Sequence, residues 1–364
     1  MDKKTPSFPS GKAAVFNGSG LPFEMIERQV PAIKPGEILV KNLYTTLCGS
    51  DIHTYCGRRH GPAQVVLGHE IVGEIVIVDP LHPGTDARGE KLAVGDRIVW
   101  PIFSVPAGIA APAPGMPQKS DQLFKFGHAL ANGNDVFNGG LADYCILYSN
   151  TEIIKISAAI PVEVAATISC AHATVAGALR VAGTIANKKV IVFGAGLLGL
   201  SCVAMCKEAG AAWIALTDTD TTRLQWGEKF GTDAVYKFPE NDPADLPWPE
   251  VDIVFDMTGS PEAMKTGIDS LAIGGTAVWI GAVFPEHPVQ VDAEKIVRKI
   301  LQIRGLHNYN YEDFSEAVSF IETHYLKYPF IDLVEKEYPL EKVMEAFAFA
   351  STIKPVRVGI RIDG

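Results

Sequence analysis

Three short stretches of the 364-residue chain carry side chains able to hold a metal ion. Leu47-Cys48-Gly49-Ser50-Asp51-Ile52-His53 offers a thiol, Leu67-Gly68-His69-Glu70 an imidazole beside a carboxylate, and Ser169-Cys170-Ala171-His172-Ala173-Thr174 a second thiol. Two thiolates and an imidazole suit a tetrahedral Zn²⁺ that keeps one position open for chemistry. Taken singly, each residue also has a plainer reading, because free cysteines are often buried core residues. A fourth stretch, Val190-Ile191-Val192-Phe193 running into Gly194-Ala195-Gly196-Leu197-Leu198-Gly199, has the form of a phosphate-cradling turn between a strand and a helix. Gly194 permits the tight turn, Gly196 lets a pyrophosphate approach the backbone, and Gly199 allows the helix to pack closely on the strand. The helix beginning at Leu197 and Leu198 offers free N–H groups and a partial positive charge to the phosphates. The next strand ends at Asp218, 24 positions after Gly194. A carboxylate there accepts from ribose hydroxyls and repels a 2′-phosphate, which favours NAD. Arg223 lies where it could contact the ribose or favour NADP, but the strand-end aspartate outweighs it.

The elements that must position these residues fall into two textures. Up to about residue 150 the pattern is of short strands broken by Gly and Pro: Lys12–Phe16, Glu37–Thr45, Ile71–Val78, Arg97–Pro101 and Asp143–Leu147. Pro101 to Asn138 contains five prolines and little periodicity, and reads as a long lobe, the kind of segment that is often functional. A helix is expected over Val162–Arg180. After it, strands and helices alternate: strands Val190–Phe193, Trp213–Thr217, Ile253–Met257 and Thr276–Gly281, with helices Leu197–Ala209, Thr221–Phe230 and Pro261–Leu271 between them. Apolar strands alternating with helices indicate a parallel sheet covered on both faces. Helices follow at Tyr311–Thr323 and Leu340–Ser351. The alternating strand Val356–Ile362 is expected to return to the first domain.

Composition narrows the function. The chain is too long for one hydrophobic core and suits two domains. Its formal net charge is −10, which works against nucleic-acid and anionic-membrane partners while leaving room for a local basic pocket. Cys48, Cys56, Cys145, Cys170, Cys202 and Cys206 are scattered without a disulfide framework, as expected of a reduced, cytoplasmic protein. The uncharged runs Val164–Leu179 and Val190–Cys206 are shorter than the ~20 residues that cross a bilayer.

Together, Cys48-Gly-Ser-Asp-Ile-His53, Gly68-His69-Glu70, Gly73, Gly95-Asp96-Arg97 with Val99, Gly139-Gly140-Leu-Ala142 and Gly194-Ala-Gly-Leu-Leu-Gly199 resemble the zinc-dependent medium-chain alcohol dehydrogenases along nearly the whole chain. The resemblance implies an α/β plus β fold: a GroES-like catalytic domain (1–165 and 303–364) with an inserted Rossmann doubly wound parallel-sheet domain that binds NAD (166–302). It implies Cys48, His69 and Cys170 as ligands of one catalytic zinc, with Glu70 a nearby carboxylate able to swap onto the metal. It also implies that Asp51 fixes the His69 tautomer, that Ser50 accepts the alcohol proton, and that His53 passes it towards solvent through the cofactor ribose. One departure stands out. Many members carry four clustered cysteines for a structural zinc, whereas this chain has none between Cys56 and Cys145. Ala107, Ala110, Ala113 and Ser120 stand roughly in their place, so no structural zinc is expected.

Tyr55-Cys-Gly-Arg58-Arg59-His60, Pro117-Gln-Lys119 and Leu123-Phe-Lys125-Phe-Gly-His128 resemble a subgroup linked with phosphonate catabolism. Arg58 and Arg59 could grip a phosphonate or phosphate by guanidinium forks, while Lys119, Lys125 and His128 read as structural. His172 reads as core or pocket lining. The expected activity is therefore NAD-linked oxidation of an alcohol or reduction of an aldehyde or ketone, with a hydroxyalkyl phosphonate or related anion as substrate. The rivals are a zinc-free enone or quinone reductase of the same fold and a non-catalytic nucleotide-binding protein. The three metal-binding residues count against the first, and Ser50, Asp51 and His53 beside them count against the second. A homodimer or homotetramer is expected by analogy of fold.

Overall fold

The structure, a computed structural model, describes residues 8–59, 61–106, 108–109, 113–131, 135–238, 248–283 and 288–362. It divides into two compact units, residues 1–170 with 334–364, and residues 171–333. His60, Ala107 and Ala110, singled out above, lie outside the described residues.

The first unit opens with strands β1 (Ser10–Phe16), β2 (Glu24–Gln29) and β3 (Ile38–Thr46), helix α1 (Gly49–Tyr55), and strands β4 (Val65–Val66) and β5 (Glu70–Val78). Short strands β6 (Arg97–Val99), β7 (Phe103–Ser104), β8 (Phe124–Lys125), β9 (Tyr144–Leu147) and β10 (Ile154–Lys155) follow, then helix α2 (Val162–Ala166). Strands β7 and β8 pair inside the proline-rich lobe. The main sheet runs β10-β6-β5-β3, and β3 also pairs with β9. Ile38, Leu39 and Val40 of β3 are buried in succession, Leu39 in the cluster on one face and Val40 in the cluster on the other.

The second unit holds α3 (Ala171–Ala182), β11 (Lys189–Phe193), α4 (Leu197–Glu208), β12 (Trp213–Asp218), α5 (Thr221–Leu224), α6 (Trp226–Phe230), β13 (Ala234–Lys237) and β14 (Val251–Asp256). It continues through α7 (Pro261–Asp269), β15 (Leu271–Trp279), α8 (Ala293–Lys299), β16 (Gln302–Gly305) and α9 (Tyr311–His324). The sheet is parallel throughout, in the order β13-β12-β11-β14-β15-β16. Continuous apolar runs such as Val190–Phe193 are buried because helices cover both faces. The order reverses direction at β11 and β14, and such a switch point opens a crevice for a ligand.

After residue 333 the chain re-enters the first unit as β17 (Val334–Pro339), α10 (Val343–Ile353) and β18 (Arg357–Arg361). Strand β18 completes the first unit's main sheet by pairing with β3 on one side and β17 on the other. The return of the C-terminal strand thus stands as read from the sequence. The boundaries differ from that reading: the compact units part after 170 and 333 rather than after 165 and 302. Buried Asp313 at the start of α9 takes a bidentate grip from Arg180 of α3, which ties residues after 303 to the parallel-sheet unit. The expected helix Val162–Arg180 is also broken. A 3₁₀ turn over Thr167–Ser169 separates α2 from α3, and Cys170 sits at the break with non-helical angles (φ −129°, ψ −71°).

Candidate metal and dinucleotide sites

Sheet register builds the first site. Thr46, the last residue of β3, lies opposite Glu70, the first of β5. Cys48 and His69, which flank that pair in sequence, therefore emerge at the same end of the sheet. Cys170 arrives from the break between α2 and α3. The Cys48 Sγ, the Cys170 Sγ and a ring nitrogen of His69 all lie within 4.8 Å of one another. The two sulfurs are 3.9 Å apart.

One carboxylate orients two of these residues. Asp51, 1 % exposed, accepts from the Cys48 backbone N–H at 3.0 Å and pairs with His69 Nδ1 at 3.2 Å. Cys48 is the N-cap of α1 and Asp51 its third helical residue, so a capping box places this carboxylate. Nδ1 thereby keeps its proton and Nε2 is the free ligand atom. Burial opposes a charge on His69, but Asp51 outweighs it and raises the imidazole well above its ordinary range. The hydrogen bond between the two thiols lowers Cys48 and raises Cys170. Two soft sulfurs and a fixed imidazole, with Cys48 and His69 buried and Cys170 half-buried, fit a zinc ion that keeps one position open.

Glu70 is fully buried and tied bidentately to Arg357 of β18, at 3.0 and 3.1 Å. The Thr46 hydroxyl donates to the same carboxylate. Burial lifts Glu70 to about 7 against the opposing pull of Arg357. The sequence reading did not find Arg357. It lies 287 residues from Glu70, on a strand whose alternation would turn it outward.

Ser50 Oγ is 3.3 Å from His69 Nε2. His53 is three residues further along α1, on the same face as Ser50. Arg59, His128 and two lysines gather beside these residues. His128 Nδ1 donates to the Phe126 carbonyl at 3.1 Å, which leaves Nε2 to accept from Arg59 Nη1 at 3.4 Å. The rings of His128 and His69 lie 5.0 Å apart. Burial, followed by the charge of His69, holds His128 down at about 3, so it is neutral. Burial and the charges of Arg59 and Lys119 hold Lys125 at about 8. The structure therefore gathers Arg59, Lys119, Lys125 and His128, three of which read as structural in the sequence. Arg58 stays exposed.

The second site lies at the C-terminal end of the parallel sheet. A Cβ on Gly199 would fall 1.7 Å from the Gly194 carbonyl oxygen, so only glycine lets α4 start this close to β11. Gly196 faces open space, where a ligand's phosphates can approach. Leu197 and Leu198 form the first turn of α4. Asp218 ends β12, and its Oδ2 accepts from the Ala195 N–H at 2.6 Å, which holds the glycine turn. Its Oδ1 accepts from the Asp220 N–H at 2.8 Å. Arg223 follows on α5, which Asp220 caps. His172 and Ser201 form a buried hydrogen bond of 2.7 Å between α3 and α4, in keeping with the core reading of His172.

A sequence model described as alcohol dehydrogenase GroES-like domain matches residues 34–158, and one described as zinc-binding dehydrogenase matches residues 198–323. Sorbitol dehydrogenase of Gallus gallus is 26 % identical over 351 residues, 92 % of each chain. D-arabitol-phosphate dehydrogenase of Enterococcus avium is 27 % identical over 329 residues, 88 % of this chain and 89 % of its own. The crystal structure of an alcohol dehydrogenase from Thermotoga maritima superposes with a TM-score of 0.90 at 24 % identity. The match covers 98 % of this chain and all of that one, and shows a common fold.

Proposed function

This chain belongs to the zinc-dependent medium-chain alcohol dehydrogenase family, and we propose that within it the chain is an NAD-linked enzyme interconverting a small anionic alcohol and its carbonyl compound. The observation that carries the reading is the cationic group next to the Cys48–His69–Cys170 set: Arg59 bonds His128, whose ring lies 5.0 Å from that of His69, and Lys125 feels the charges of Arg59 and Lys119. Cys48 Sγ, His69 Nε2 and Cys170 Sγ would hold the zinc, with Glu70 kept close behind by Arg357. When bound, zinc polarises a substrate oxygen and the nicotinamide carries the hydride.

The chain's own residues do the rest. Ser50 Oγ, beside His69, accepts the proton that the alcohol hydroxyl gives up as its own hydroxyl proton passes on, and His53 takes a proton on towards solvent. Asp51 keeps the His69 ring in one tautomer throughout. Neutral His128 accepts from Arg59 and so aims the guanidinium, whose fork suits a phosphate or phosphonate group. Asp218 accepts from the adenosine ribose and its charge opposes a 2′-phosphate, which favours NAD. A phosphate- or phosphonate-bearing hydroxy compound meets these requirements, and the arabitol-phosphate relative agrees with a phosphorylated alcohol.

A reducing, cytoplasmic setting suits two thiols kept 3.9 Å apart for a metal. A homodimer or homotetramer suits edge strand β16, whose residues are all exposed beside exposed Val297 and Ile300. Light scattering after size exclusion tests the assembly. The function is tested by zinc content and by NADH formation across neutral polyols, sugar phosphates and hydroxyalkyl phosphonates. About one zinc per chain and turnover confined to the anionic alcohols support the reading, whereas equal turnover of neutral polyols overturns the anionic-substrate part.

A further inference from the structure

Asp256 is a second strand-end carboxylate on the parallel sheet. It ends β14 and pairs in register with Phe193 at the end of β11, on the side away from β12 and Asp218. Unlike Asp218, it is fully buried, and among the described residues it makes no ion pair.

The donors around Asp256 favour its ionised form. Oδ1 accepts from the Thr258 hydroxyl at 2.6 Å and the Thr258 N–H at 3.2 Å, and Oδ2 accepts from the Gly259 N–H at 3.0 Å. The Gly281 N–H bonds the Asp256 carbonyl at 3.2 Å and also reaches the carboxylate. Thr258 Oγ1 itself accepts from the Ser260 N–H at 2.9 Å, so its own proton must go to Asp256. Both oxygens therefore face donors only, an arrangement that suits a carboxylate and leaves a carboxylic acid's proton without an acceptor. Burial is the larger effect and leaves Asp256 above the ordinary carboxylate value, held down in part by these bonds.

This charge sits under a bare backbone surface. A Cβ on Gly281 would come within 2.2 Å of the Gly259 N, and one on Gly259 within 2.6 Å of the Gly281 O. The turns after β14 and β15 thus stack on each other with no side chain between them. The Thr258 methyl lies 3.0 Å from where a Gly194 Cβ would be, so the same turn abuts the phosphate-binding loop. A dinucleotide at a switch point lies across the crevice with one half on each side. With its adenosine ribose on Asp218, its nicotinamide half falls on the β14–β15 side.

We infer that Asp256 is a specificity-determining residue for the redox state of the cofactor: its buried negative charge beneath the Thr258–Gly259 and Gly281 turns favours the cationic ring of NAD⁺ over the neutral ring of NADH. The enzyme is thereby weighted towards binding the oxidised cofactor, as suits alcohol oxidation. The inference rests on the dinucleotide reading of the glycine loop. At an effective dielectric of about 20, a unit charge about 12 Å from the ring corresponds to roughly a tenfold preference, and one about 25 Å away to roughly a threefold preference.

The test measures dissociation constants of NAD⁺ and NADH separately, by calorimetry and by NADH fluorescence, on the zinc-loaded full chain. Asp256→Asn keeps the size and removes the charge; if it fails to fold, Asp256→Ser carries the same test. Thr258→Val keeps the charge while loosening the turn. The expected result is that Asp256→Asn weakens NAD⁺ relative to NADH by roughly three- to tenfold, whereas Thr258→Val moves both constants together. An unchanged ratio in Asp256→Asn overturns the inference and leaves Asp256 a structural residue. Failure of the wild-type chain to bind either form overturns the dinucleotide reading itself.

Discussion

Lys125 tests the anionic-substrate reading most directly. Burial, then the charges of Arg59 and Lys119, hold its ammonium at about 8 against 10.5 for an unhindered lysine. That displacement corresponds to at most about 3 kcal/mol against the charged form, less whatever partial solvent contact relieves. Because the folded-state value lies below the unfolded one, the cost is fully present below about pH 8 and fades as pH rises through 10.5. A bound phosphate or phosphonate reverses the balance, since a charge-assisted hydrogen bond contributes about 1.5–3 kcal/mol. Lys125→Met keeps the apolar stem and removes the charge. Its KM for an anionic alcohol should rise about ten- to a hundredfold, and its KM for a neutral alcohol should stay within about twofold. Near neutral pH its melting temperature should rise by a few degrees, a gain that disappears above pH 10.5. In the wild type, KM for the anionic alcohol should climb once pH passes about 8, and the variant should lack that limb. Initial rates followed by NADH absorbance, with both alcohols across pH, and thermal melts at two pH values make the measurement. An equal loss of kcat/KM for charged and neutral alcohols would refute the reasoning.

Three further outcomes follow from the geometry. Cys48→Ala should take zinc from about one per chain to near none by mass spectrometry and abolish turnover, with NADH binding unchanged. Gly199→Ala places a Cβ 1.7 Å from the Gly194 carbonyl, so dinucleotide affinity should fall at least about tenfold in titration, while zinc content stays the same. Arg357→Leu strands the fully buried Glu70 without its cation and should cost about 3–5 kcal/mol in urea unfolding. Adding Glu70→Gln to that variant should recover much of the loss, and failure to recover any would mean that packing, not charge, is what Arg357 supplies.

Much of this was legible in residue types and spacing. The Val190–Gly199 turn announces itself because strand, glycines and helix are contiguous, so local chemistry alone specifies it. The strands around Cys48 and His69 also show in their alternation. What was not legible depends on contacts distant in sequence. Cys170 was read inside one long helix, since an alanine-rich apolar run carries no sign of the 3₁₀ turn at Thr167–Ser169 that breaks it. Arg58 and Arg59 looked equivalent as neighbours, yet the chain leaves Arg58 exposed and turns Arg59 to His128. Lys125 and His128 lie in a lobe without periodicity, where no pattern says which side chains turn inward. Arg357 occupies the face of β18 that alternation assigns to solvent, but the return of that strand beside β3 buries both faces.

The metal-binding geometry is consequently a property of register more than of any motif. Cys48 and His69 meet because Thr46 opposes Glu70, and Arg357 reaches Glu70 because Gly359 opposes Thr46 on the other edge of β3. A slip of one residue in either pairing would turn a whole strand's side chains to the opposite face. The sheet resists such slips through apolar burial on both faces of β3, where Leu39 and Val40 are fully enclosed in different clusters. The Arg357–Glu70 pair adds a further check, because a slipped register would leave two charges buried apart, at a cost of several kcal/mol. The buried pair behind the metal-binding residues therefore serves geometry as well as charge: it makes the one register that assembles the site the one register the sheet tolerates.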